Sequence, residues 1–152
     1  MATYNSFEEL PVWKSAKDLA ILIYKVTSQG KISRDYGLKD QIQRAAVSVS
    51  SNIAEGFERG TKQEFIQFLY IARGSCGELR SQLYIAKEIG YLDDNEEFKK
   101  LCEATRKVSK QISGFIEYLK EAKILGQKFF DKKLRSQREF LKKLEEIRNK
   151  NR

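Results

Sequence analysis

The sequence predicts an all-α fold, an antiparallel up-and-down four-helix bundle with a basic C-terminal helical extension. Three observations carry that expectation. The chain of 152 residues holds one proline, Pro11. Apolar residues recur at three- and four-residue steps through four successive stretches, the period of a helix with one buried face. Glycines and capping residues separate those stretches, so the connections are short and neighbouring helices run antiparallel.

The first stripe is Trp13, Ala16, Ala20, Ile23 and Thr27, with Leu19 and Tyr24 beside it. Pro11 fits the first turn, where a missing N–H costs nothing, and Gly30 is the expected stop. The second stripe is Leu38, Ile42, Ala45, Val49, Ile53 and Phe57. Within it Val47-Ser48-Val49-Ser50 alternates like a strand, but the helical period runs much longer and wins. Gly60 then ends the helix, and Thr61 with Glu64 reads as a capping box that starts the next. The third stripe is Phe65, Phe68, Ala72, Cys76, Leu79, Leu83 and Ala86, stopped by Gly90. Asp93 with Glu96 is the expected cap of the fourth helix, whose stripe is Phe98, Leu101, Thr105, Val108, Ile112, Phe115 and Leu119. The bundle is expected within residues 1–125. Residues 126–152 form a basic tail in which Leu134, Leu141 and Leu144 keep a thin helical spacing, too polar to bury much.

Charge is unevenly placed. Residues 1–60 carry 8 basic and 7 acidic groups, residues 61–119 carry 9 of each, and residues 120–152 carry 12 basic against 5 acidic. The net +8 is therefore almost entirely a property of the last segment. Clustered Lys and Arg there, from Lys120 and Lys123 through Lys128, Lys132, Lys133, Arg135, Arg138, Lys142, Lys143 and Arg148, are an electrostatic footprint for a polyanion such as RNA. Arg44, Arg59 and Arg73 on the bundle are secondary candidates for phosphate contact.

Composition excludes much chemistry. With no histidine there is no Ser-His-Asp triad, Cys-His pair or His-ligated metal. Cys76 and Cys102 stand apart, and each falls on or beside a core stripe, where cysteine packs as a small hydrophobe. Gly56-Phe57-Glu58-Arg59-Gly60-Thr61-Lys62 has the composition of a phosphate loop, but its spacing is short, Thr and Lys are reversed and a helix precedes it. Glu55, Glu58, Glu64 and Glu78 share their helices with Arg59, Arg73 and Arg80, so ion pairs account for them. No metal, cofactor or catalytic residue is expected. The polar N-terminus and the lack of a long apolar run point to a cytoplasmic chain without a membrane span.

A further stripe on the third helix, Tyr70, Gly74, Gly77, Ser81 and Tyr84, lies off the core face. Two glycines inside a helix cost on the order of 1 kcal/mol each relative to alanine, which implies that something approaches the backbone there. That partner is either a helix of the same chain or a neighbouring subunit anchored between the tyrosines.

The run Tyr36-Gly37-Leu38, Gln41-Ile42, Arg44-Ala45-Ala46-Val47-Ser48 and Ser51-Asn52-Ile53-Ala54-Glu55-Gly56, closed by Arg59, resembles the signature of the bacterial four-helix-bundle family named for proteins encoded in intervening sequences of 23S ribosomal RNA genes. The likeness continues through Glu64-Phe65, Phe68 to Ser75, Glu78-Leu79 and Gly90-Tyr91-Leu92. It implies a ring-like homopentamer and no known enzymatic activity, with RNA binding presumed. The fold so implied is similar to the accessory variability determinant of diversity-generating retroelements, a basic pentameric barrel that partners a reverse transcriptase and binds nucleic acid. Asn52, Glu55, Gly56, Arg59 and Glu64 are the signature residues, expected around the junction of the second and third helices. The resulting expectation is a non-enzymatic homo-oligomer that binds RNA. The alternative is an adaptor that docks a larger protein such as a reverse transcriptase.

Overall fold

The structure is a computed structural model that describes residues 4–122 and 139–142. Four helices make up the bundle: α1 (Pro11–Thr27), α2 (Tyr36–Glu58), α3 (Lys62–Glu88) and α4 (Asn95–Glu121). Short 3-10 turns at Phe7–Glu9 and Lys31–Arg34 precede α1 and α2. Each helix packs on the next, and α4 returns to α1, closing a four-sided core. The alternating direction shows at the two ends. Lys31 Nζ, before α2, reaches Gly90 O and Asp93 Oδ2 in the α3–α4 loop, each at 3.4 Å. At the opposite end, Lys62 Nζ donates to Ala122 O at 3.0 Å, joining the start of α3 to the end of α4.

The helix ends follow local chemistry. Pro11 sits in the first turn of α1 as expected. Asp35 caps α2 by accepting Leu38 N–H at 3.0 Å. Thr61 caps α3 by accepting Glu64 N–H at 3.2 Å, while its hydroxyl donates to Glu64 Oε2 at 2.6 Å. Gly60 stops α2 with φ +77°. At the end of α3, Gly90 N–H donates to Lys87 O and Tyr91 N–H to Ala86 O at 2.8 Å. That pairing is a Schellman closure, and its left-handed residue is Gly90, at φ +79°. Two boundary expectations need correction. Asp94, not Asp93, caps α4, accepting Glu96 N–H at 2.8 Å, which leaves Asp93 to bridge to Lys31. Helix α1 ends at Thr27, where the Ser28 hydroxyl closes on Tyr24 O at 2.6 Å, and Gly30 serves the following 3-10 turn instead.

The core is aliphatic, with Ile23, Ile42, Ile53, Leu69, Leu79, Leu83, Leu101, Ile112 and Ile116 all fully enclosed. Each such side chain contributes on the order of 1.5–3 kcal/mol by leaving water. Leu69 and Ile116 take the places given by spacing to Phe68 and Phe115, which are half-buried at the rim. There Phe115 stands edge-on to Phe65 at 5.6 Å, and Phe65 to Phe57 at 5.8 Å. Tyr24 is exposed rather than core-facing.

A close helix contact explains Phe68. A Cβ placed on Gly56 would fall 2.5 Å from Phe68 Cβ and 3.0 Å from a Phe65 ring carbon. The α2 backbone therefore lies directly on α3, a distance only glycine permits, and Phe68 covers the contact. Gly56→Ala must push the helices apart. Overpacking of this kind costs roughly 1–3 kcal/mol, so its thermal midpoint should fall by several degrees in calorimetry, while α-helical circular dichroism at low temperature stays near that of the parent.

Candidate nucleic-acid and subunit interface

The α3 glycines tell a different story from Gly56. A Cβ on Gly74 or Gly77 would meet nothing within 4 Å among the described residues. None of the helices α1 to α4 uses the closeness these residues offer, so packing within the bundle does not account for them. Helical spacing puts Gly74 and Ser81 at the middle of the outward face of α3, with Gly77 beside them. Tyr70 and Tyr84 flank this strip on the α4 side, 39% and 46% exposed. On the α2 side Ile71, Ile85 and Ile89 are 46%, 50% and 52% exposed. Those isoleucines went unremarked in the sequence because one outward Ile among polar neighbours is ordinary; only the fold puts three of them on one edge.

The two tyrosines are held rather than loose. Arg73 lies over the Tyr70 ring at 4.9 Å from its centroid and Lys120 at 5.5 Å. The Tyr70 hydroxyl, and then Glu117, raise the Lys120 pKa above its ordinary value. Tyr84 stands edge-on to Phe98 at 5.1 Å, and its hydroxyl accepts from Arg106 Nη2 at 3.4 Å. Arg73 Nη1 also donates to Ser113 Oγ on α4 at 3.3 Å.

The proposed phosphate contacts on the bundle differ in how they are engaged. Arg44 pairs with Asp40 at 3.7 Å and Arg59 with Glu55 at 2.7 Å, both one helical turn apart. Arg59 also covers the Phe68 ring at 5.2 Å. Exposed pairs such as these contribute little and open readily. Arg73 has no carboxylate within 4.0 Å among the described residues. Lys142 lies on an exposed stretch. The remaining tail residues, Lys128, Lys132, Lys133, Arg135, Arg138, Lys143 and Arg148, lie outside the described residues.

The signature residues do not form one cluster at the α2–α3 junction. Asn52 lies further back along α2 and donates to Ser48 O at 2.8 Å and Ser48 Oγ at 2.9 Å; Ser48 in turn meets Ser75 Oγ on α3 at 2.9 Å. Gly56 is the helix-crossing point, Glu55 and Arg59 pair on the surface, and Glu64 belongs to the α3 cap.

The concave features are shallow. An open cleft of about 480 Å³ is lined by Tyr24, Arg44, Val47, Ser48, Ser51 and Glu78. A second, of about 290 Å³, lies between Tyr4, Val12, Phe115 and Tyr118, with Gln111 beside it. Among the described residues no group of three or more His, Cys, Asp or Glu could hold a metal ion. None of their helices is long and apolar enough to cross a membrane.

Fold and surface together define a class: a helical bundle whose distinctive groups lie on an outward helix face rather than in an enclosed pocket. Residues 8–114 match the family described as 23S rRNA-intervening sequence protein, and the chain belongs to that family. The chain is similar in fold to a crystal structure, at 1.70 Å resolution, of a protein with unknown function from the S23 ribosomal protein family of Bacteroides thetaiotaomicron VPI-5482. The TM-score is 0.62 at 21% identity, covering 69% of this chain and 97% of that one. No curated protein matches.

Both cysteines are buried free thiols. Burial pushes the Cys76 thiol up to about 11, against the opposing charge of Arg80. Burial also raises Cys102, opposed by Arg106 and Arg80. The fold thus keeps the Cys76 proton that an unfolded chain, titrating near 9.0, would release. That stabilisation is complete below pH 9 and is lost as pH rises toward 11. In thermal melts from pH 8 to 11 the parent should lose stability more steeply than Cys76→Ala.

Proposed function

We propose that this protein is a non-enzymatic homo-oligomer, a ring near five copies, that binds structured RNA through basic surface and tail. The observation that carries the assembly is the open space over Gly74 and Gly77. Inside a helix these glycines reduce stability in the isolated protomer, and the strip they form, walled by Tyr70 and Tyr84 on one side and isoleucines on the other, suits a helix of another copy. Aromatic anchors around small, desolvated residues are the usual anatomy of such contacts. RNA binding is supported by the excess of Lys and Arg after residue 119. Lys128, Lys132, Lys133, Arg135, Arg138, Lys142, Lys143 and Arg148 act in the tail, with Arg44, Arg59 and Arg73 on the bundle. Several tails on one ring raise affinity by avidity without any new contact.

The test is Gly74→Leu/Gly77→Leu. A side-chain Cβ at either position meets none of the described residues within 4 Å, so helicity and melting should hold or improve. The light-scattering mass should fall to that of a single 17.7 kDa chain. Apparent affinity for a structured RNA at physiological salt should weaken by about tenfold or more as avidity is lost. A parent that is monomeric from the start, or that shows no salt-dependent RNA affinity, contradicts the proposal.

A further inference from the structure

The α3–α4 groove holds three guanidinium groups without a carboxylate partner. Arg73 and Arg80 face α4 from α3, and Arg106 faces back from α4. None has an Asp or Glu oxygen within 4.0 Å among the described residues, although six other cation–carboxylate pairs form there. The side chains are nevertheless placed. Arg73 rests on Tyr70 and bonds Ser113 at 3.3 Å, and Arg106 bonds the Tyr84 hydroxyl at 3.4 Å. Arg80 lies between them along α3, half-buried, with its Nε enclosed and lacking a hydrogen-bond partner.

Their neutral neighbours (Tyr70, Tyr84, Ser113) orient these cations without neutralising them. Such an arrangement is completed by an anion from outside. Guanidinium forks match phosphate oxygens in pairs. The groove ends at Lys120 over Tyr70, where the chain enters the segment with 12 basic and 5 acidic residues. We infer that Arg73, Arg80 and Arg106 in the α3–α4 groove bind the phosphate backbone of a nucleic acid. The inference rests on the RNA-binding reading above and adds a site to it: Arg80 and Arg106 extend the single bundle contact, Arg73, expected on this face. Phosphate is favoured over an acidic protein because guanidinium forks match phosphate oxygens in pairs and because the sequence after residue 119 is itself rich in Lys and Arg.

The experiment compares Arg73→Gln/Arg106→Gln in the full chain with a control, Lys14→Gln/Lys25→Gln, that removes equal charge from exposed positions on α1. An RNA hairpin with single-stranded flanks is titrated at several salt concentrations, poly-glutamate is the counter-probe, and light scattering reports mass. Both substituted arginines are exposed, so folding should survive; Arg80→Gln is made separately and judged against its own melting curve. The groove variant should lose affinity at unchanged mass, its logarithmic salt dependence shallower by roughly one unit for each phosphate contact removed, and the control should lose less. Equal losses in the control and groove variants would overturn the site while leaving RNA binding intact. A fall in mass would assign these arginines to assembly, and an equal loss of poly-glutamate binding would assign them to an acidic protein; either overturns the site. A parent without salt-dependent RNA affinity removes the site together with the reading beneath it.

Discussion

The contact of Gly56 with Phe68 sets the geometry on which the rest of the bundle depends. It brings the α2 backbone against α3 at a separation that any side chain would prevent. With that distance fixed, Ser48 and Ser75 can meet at 2.9 Å, and Ile53 and Leu69 close the core between the same helices. The crossing also fixes the rotation of α3. The face carrying Leu69, Ala72, Cys76 and Leu79 must turn inward, so the face carrying Gly74, Gly77 and Ser81 must turn outward. A glycine inside the protomer and two glycines outside it are therefore linked parts of one arrangement.

Helix α3 consequently serves three surroundings. Its inner face packs the core. Its outer strip, small in the middle and apolar at the edges, offers a close approach that none of the other described residues takes up. Its α4 flank carries Arg73 and Arg80 beside two tyrosines whose rings and hydroxyls hold cations in place. Burial opposes charge on the inner side, as the raised Cys76 thiol shows. The same helix collects guanidinium groups a turn away, where water and an incoming anion can reach them. An assembly that covered the outer strip would leave the α3–α4 groove at the border of the subunit contact, so RNA bound there would lie beside the seam between copies.

Much of this was legible in the sequence because the helical period repeats without interruption and the punctuation is strong. Pro11, Thr61 with Glu64, Gly60 and Gly90 each mark an end by a local rule that needs no tertiary information. The departures come where tertiary context decides. Spacing alone could not separate Phe68 from Leu69, since both lie near the inward face; the proximity of Gly56 gives Phe68 a place at the rim. Asp93 and Asp94 are equivalent as caps in sequence, and Lys31, distant along the chain, claims the first. The arginine groove was least legible. Arg73, Arg80 and Arg106 sit amid carboxylates in sequence, and only the fold shows that none of the described carboxylates comes within 4.0 Å of them. The stripe from Tyr70 to Tyr84 could be read as unusual, but whether a helix of the same chain filled it was a question only the fold could answer.

The account stands on the claim that α3 is built to meet another copy of this chain. Sedimentation velocity of the unmodified protein across a hundredfold range of concentration tests it most directly. The account predicts one closed species, near five times the 17.7 kDa of the chain, that persists on dilution. A single species at the mass of one chain throughout that range would contradict it, and would leave Gly74 and Gly77 without a physical reason.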